Sequence, residues 1–130
     1  MDQAVTAPVL IVEDNAETRE VLERVLLISG FDVRRATDGL DALAYFRRGG
    51  RASAIVLDVA MPRMDGIQLR RALTADPRWA DIPVIVYTAN PHLRVPDVIG
   101  VFRKGTDDPN RLLEMLAVAC KLDSEPSRSH

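Results

Sequence analysis

Five side chains of the kinds that hold metal ions or react with phosphoryl groups each stand where a short apolar run of this chain ends. Glu13 and Asp14 follow the run 9–12, Asp58 follows 54–57, Thr88 follows 83–87, and Lys104 lies just beyond 100–102. If these runs are strands of one sheet, three acids, a hydroxyl and an amine converge, because open α/β sheets gather their sites at the carboxyl ends of their strands. Glu13, Asp14 and Asp58 in one pocket would repel one another unless a cation intervened. Mg²⁺ suits that pocket, since it takes one or two carboxylates, keeps waters and leaves positions for phosphate oxygens. A carboxylate can also attack a phosphoryl group, with cations such as Mg²⁺ and Lys104 spread around the equatorial oxygens. Taken singly, each residue has an ordinary reading: a loop acid, a β-branched strand former, a solvated strand end, the approach to a helix. Their joint placement argues for a shared site centred on Asp58.

The elements that must position these residues are legible as alternating patterns. The runs Pro8–Val12, Ala54–Leu57 and Pro83–Tyr87 are continuous β-branched or aliphatic segments, as in strands buried on both faces of a parallel sheet. Phe31–Ala36 and Gly100–Phe102 are weaker strand candidates. Between them lie helical spacings: Val21, Leu22, Val25 and Leu26, then Leu40, Leu43 and Phe46, then Ile67, Leu69 and Leu73. Asn15 and Asp38 stand as N-caps, Asp65 and Gln68 as a capping box, Asp108 as the cap before Pro109, and Gly30 as the end of the first helix. The pattern calls for a doubly wound α/β sheet, and an order 2-1-3-4-5 would bring the acids together. Residues 89–98 contain Pro91 and Pro96 and are few for a whole crossover, so a shortened or missing fourth helix is expected.

Composition narrows the classes. The 130 residues are 47% hydrophobic and 28% charged, with a formal net charge of −2, which suits one globular domain and gives no general reason to expect nucleic acid. The arginine pairs at 34–35, 47–48 and 70–71 read as solvated surface. Cys120 is the single cysteine and sits among apolar residues, so it reads as packing in a reducing cytoplasm. No leader pattern or spanning apolar run is present, so no membrane is expected. His92 and His130 have no defined partner, and the seven glycines make neither a dinucleotide nor a P-loop spacing. A domain over 8–122 is expected between a flexible start at 1–7 and a flexible tail at 123–130, with no output domain following.

The segments Val9-Leu-Ile-Val-Glu-Asp-Asn15, Val56-Leu-Asp-Val-Ala-Met-Pro-Arg-Met-Asp-Gly66 and Val84-Ile-Val-Tyr-Thr-Ala89 resemble response-regulator receiver domains, with Ala36-Thr-Asp-Gly-Leu-Asp-Ala-Leu43 fitting the entry to the second helix. The resemblance spans roughly residues 8 to 122. It implies a flavodoxin-like, five-stranded sheet and a single-domain or excised receiver of a two-component or phosphorelay system. A sensor histidine kinase or histidine phosphotransfer protein would pass a phosphoryl group to Asp58. Glu13, Asp14, Asp58 and the Ala60 carbonyl would hold Mg²⁺. Lys104 would pair with the phosphoryl group, Thr88 would donate its hydroxyl, and small Ala89 would keep the approach open. Such a domain catalyses only its own modification and then switches its affinity for a downstream protein.

Two positions depart from that pattern. Gly105 follows Lys104 where the family has proline, and Val101 stands where it usually carries a switching tyrosine or phenylalanine. The last helix, Leu112 to Cys120, is apolar around most of its circumference, which exceeds one core-facing stripe and suggests a docking or homodimer surface. Two other readings stay open. One is a non-phosphorylated interaction module of the same fold. The other is a Mg²⁺-dependent hydrolase with Asp58 as nucleophile, although Asp58-Val59-Ala60 offers no second acid.

Overall fold

The apolar runs form strands because their side chains find cover on both faces. In the computed structural model, which describes residues 7–58, 66–89, 98, 100–104 and 107–124, β1 (Val9–Val12) and β3 (Ala54–Asp58) are buried at every position. β4 (Val84–Thr88) is buried except at Tyr87. The weaker candidates are the sheet edges: β2 (Val33–Ala36), with Arg34 and Arg35 exposed, and β5 (Gly100–Arg103). All neighbours pair in parallel, in the order 2-1-3-4-5 expected from the sequence.

Four helices are described: α1 (Ala16–Ile28), α2 (Gly39–Arg47), α3 (Gly66–Thr74) and α4 (Pro109–Ser124). One core cluster joins Leu10, Val12 and Leu57 to Leu43 and Phe46 of α2 and Leu69 and Leu73 of α3. The other joins Ile11, Val56, Ile85 and Phe102 to Leu22 and Leu26 of α1 and Leu112 and Leu116 of α4. The sheet is thus doubly wound, with its strand ends left open to carry a site.

The start signals act as their residue types dictate. Asn15 accepts from the Thr18 N–H at 2.9 Å, Asp38 from that of Asp41 at 2.8 Å, and Asp108 from that of Asn110 at 2.9 Å. α1 stops at Gly30, whose φ of +97° lets its own N–H reach the Leu27 carbonyl at 3.1 Å and the Phe31 N–H reach that of Leu26 at 3.0 Å.

Not every apolar residue in the helical spacing is buried. Val21, Val25, Leu40 and Ile67 are exposed, while Leu22, Leu26, Leu43, Phe46, Leu69 and Leu73 carry the contacts. A helix lying on a sheet covers one stripe, and these four fall beside it. Arg70, read from sequence as solvated, is half-buried. Cys120 is half-buried against the second cluster, 3.4 Å from the Ser53 hydroxyl. The abbreviated fourth helix, Asp65 of the capping box and both chain ends (1–6 and 125–130) lie outside the described residues.

Candidate functional site

Strand register builds the site. Val12 pairs with Leu57, so the next residues, Glu13 and Asp58, stand side by side at the ends of β1 and β3. Asp58 pairs with Tyr87 and Tyr87 with Phe102, so these three form a row across the sheet and, by strand alternation, share a face. Thr88 pairs with Arg103, which sets Lys104 one step beyond β5, where its N–H donates to the Thr88 carbonyl at 2.7 Å.

Glu13 is 1% exposed, Asp58 7% and Thr88 4%, while Asp14 and Ala89 are exposed. One carboxylate oxygen from each of Glu13, Asp14 and Asp58 lies within 4.8 Å of the others. The Lys104 ammonium lies 3.5 Å from Glu13 Oε1 and 3.8 Å from Asp58 Oδ2. Glu13 is further held by the Asn15 N–H, which donates to Oε2 at 3.2 Å, and its carbonyl accepts from Arg19 Nη1 at 2.8 Å.

The electrostatics follow from this crowding. Burial pushes the Glu13 carboxyl up to about 7, and the charge and hydrogen bonding of Asp58 add to the rise; the Asn15 N–H and the Lys104 charge oppose it. Burial also raises the Tyr87 phenol, with the carboxylates of Glu13 and Asp58 adding to it. Three carboxyl groups crowded together in this way form the kind of oxygen-donor set that a hard divalent cation takes.

Of the residues singled out from sequence, Glu13, Asp14, Asp58 and Lys104 are brought together, Thr88 ends the adjacent strand and Ala89 follows it at the surface. Ala60 lies outside the described residues. Sequence reasoning missed Arg19 and Tyr87. The Tyr87 ring lies under the Lys104 ammonium, 4.6 Å from ring centroid to Nζ, and only the β4–β5 register could have revealed that.

The model of the response regulator receiver domain matches residues 9–109. The chain belongs to the response regulator receiver domain family. Among curated proteins, this receiver is similar to the transcriptional regulatory protein PrrA of Mycobacterium tuberculosis, 40% identical over 122 residues that make up 90% of this chain and 50% of that protein. It is also similar to the response regulator MprA of Mycobacterium leprae, 39% identical over 115 residues, 84% of this chain and 47% of that one. The chain therefore spans about half the length of these relatives. Among solved structures, the chemotaxis protein CheY4 of Vibrio cholerae superposes with a TM-score of 0.75 at 27% identity, covering 88% of this chain and 99% of that one. A sensor protein from Polaromonas sp. JS666 gives 0.81 at 27% identity, covering 91% and 98%. Receiver domains are signalling domains of two-component systems rather than enzymes of the ordinary kind. No helix among the described residues is long and apolar enough to cross a membrane.

Proposed function

We propose that this receiver accepts a phosphoryl group on Asp58 from a phosphohistidine of a sensor histidine kinase or histidine phosphotransfer protein and then alters its affinity for a protein partner. The observation that carries the reading is the Asp58 carboxylate, buried at the end of β3 between two further acids and the Lys104 ammonium. An Asp58 oxygen attacks phosphorus, an O–P bond forms and the P–N bond breaks, and the departing imidazole keeps the electron pair and takes up a proton. Lys104 offsets charge on the phosphoryl oxygens, Thr88 donates its hydroxyl to one of them, and Ala89 leaves the approach open.

Glu13, Asp14 and Asp58, with the Ala60 carbonyl, would hold Mg²⁺; three carboxylates within 4.8 Å and a Glu13 carboxyl raised to about 7 fit such an ion. When bound, Mg²⁺ neutralises the pocket and draws charge from the phosphoryl oxygens. Phosphorylation then adds roughly −1.5 to −2 charge units at neutral pH, which biases a two-state equilibrium of the domain.

Transcriptional regulation is the named role of PrrA, a protein about twice the matched length. For this chain we read the target as a protein, because a domain of formal net charge −2 has no excess of positive charge to offer a phosphate backbone. A second copy meeting it along α4 belongs to the same reading, since Val118 is 57% exposed on that helix.

Incubation with acetyl phosphate and Mg²⁺, or with histidine kinases of the same genome, followed by intact-mass measurement, tests the proposal. Wild type is expected to gain one phosphoryl group and Asp58→Asn none. A wild type left unmodified by every donor would overturn it.

A further inference from the structure

We infer that Tyr87 is a positioning residue for Lys104, its ring holding the ammonium above the carboxylates at the place where a phosphoryl oxygen arrives. The inference deepens the phospho-acceptor reading and rests on it.

The backbone at Lys104 is fixed, but the side chain is a flexible four-carbon stem. The Lys104 N–H donates to the Thr88 carbonyl at 2.7 Å. Before it, the Arg103 N–H donates to Asp107 Oδ2 at 2.8 Å, and the Asp107 N–H donates back to the Arg103 carbonyl at 3.0 Å. Beyond the backbone, the two carboxylates at 3.5 and 3.8 Å are long for charge-assisted hydrogen bonds, which favour about 2.7–2.9 Å. Both oxygens attract the ammonium, Glu13 Oε1 through a long hydrogen bond, but neither stands at the short distance that would fix its position alone. Among the described residues, the ammonium also meets the Tyr87 ring, with Nζ 4.6 Å from its centroid, well inside the roughly 6 Å reach of a cation–π contact.

That ring is itself immobilised. It stacks on Phe102 at 5.5 Å between centroids and 6° between planes, and Phe102 is buried in the cluster that includes Leu112 and Leu116 of α4. A phenol titrates at about 10, so the ring is neutral at the pH where the site works. An ammonium seated on a fixed ring is kept from collapsing wholly onto Glu13 or Asp58. It therefore starts close to where it must meet the incoming group.

The chain has only two lysines, Lys104 and Lys121, which makes the contact directly visible. In the full chain labelled with ¹³C-lysine, the Lys104 ε-methylene protons are expected upfield of those of Lys121 in wild type and Tyr87→Phe, and to lose that displacement in Tyr87→Leu. With acetyl phosphate and Mg²⁺, Tyr87→Leu is expected to phosphorylate about fivefold more slowly, within the range of one desolvated cation–π contact, and Tyr87→Phe within about twofold of wild type. Thermal melts accompany each variant. Rescue by phenylalanine separates ring contact from the phenolic hydroxyl. A wild-type Lys104 signal without the upfield shift overturns the inference without any variant, and so does a folded Tyr87→Leu that matches the wild-type rate. Failure of wild type to accept a phosphoryl group, with the ring shift present, instead overturns the phospho-acceptor reading, because the spectroscopic arm needs no transfer.

Discussion

Two carboxyls set side by side by adjacent parallel strands cannot both ionise cheaply, and the metal-free protein must bear that cost in its stability. The Glu13 carboxyl, ordinarily near 4.5, is raised to about 7 by burial first and by Asp58 second. The folded state therefore holds a proton that the unfolded chain releases, and this contribution is complete below 4.5 and lost as pH rises towards 7. The slope is at most roughly 1.4 kcal/mol per pH unit, reduced by whatever water reaches the pair. Without metal, the urea midpoint is expected to be lower at pH 8 than at pH 5, Mg²⁺ to restore it at pH 8 with little effect at pH 5, and Glu13→Gln to flatten the dependence. Curves at pH 8 indifferent to Mg²⁺ would remove the metal from this pocket. At this scale, the meeting of Glu13, Asp14, Asp58 and Lys104 in the candidate site was legible, because a charged residue at the close of an apolar run marks a strand end whatever the register. Arg19 and Tyr87 were not, since their roles depend on which neighbour lies across a helix turn or a strand pair.

Helix ends are where the chain spends its local signals, and α1 gives the cleanest case. Gly30 adopts φ +97° to close two hydrogen bonds onto Leu27 and Leu26, yet a Cβ built there meets nothing within 4 Å. Gly30→Ala should therefore cost only the left-handed backbone penalty, about 1 kcal/mol. Equilibrium urea unfolding would read it as a lower midpoint at an unchanged slope, and an unchanged midpoint would mean that the turn relaxes at no cost. Gly49, at φ +94°, ends α2 in the same way, with its N–H on the Phe46 carbonyl and that of Gly50 on Tyr45. The caps at Asn15, Asp38 and Asp108, the stop at Gly30 and the buried strands were legible because each is a local matter of residue type, whereas the stop at Gly49 was not read. The buried face of each helix was read less well. Val21, Val25, Leu40 and Ile67 fit a helical spacing as well as their buried neighbours do, and only the angle at which each helix meets the sheet separates them. β2 was faint because it is an edge strand whose two central residues are exposed arginines.

For the whole molecule the question is how a charge added at one end of the sheet is felt at a surface. A packed route exists: Lys104 touches Asp58 and Tyr87, Tyr87 stacks on Phe102, and Phe102 shares a cluster with Leu112 and Leu116 of α4. The usual aromatic position of the family is Val101 here, on the opposite strand face from Phe102, so the rings lie on the side of the sheet that α4 covers. α4 buries Leu112, Leu116 and Ala119 and half-buries Leu113, Met115 and Cys120; among its described side chains, Ala117 and Val118 are the exposed apolar ones. Leu113→Glu would thus disturb packing as well as surface, whereas Val118→Glu changes the surface alone. Coupling between two sites is reciprocal: if phosphorylation strengthens pairing along α4, pairing must stabilise the phosphorylated form by the same factor. Light scattering over a concentration series is expected to show phosphorylated wild type gaining mass while phosphorylated Val118→Glu stays a monomer. The fraction phosphorylated at fixed donor should also rise with protein concentration in wild type alone. A phosphorylated wild type that remains monomeric throughout would rule out a second copy on α4 and leave that helix to a different partner protein.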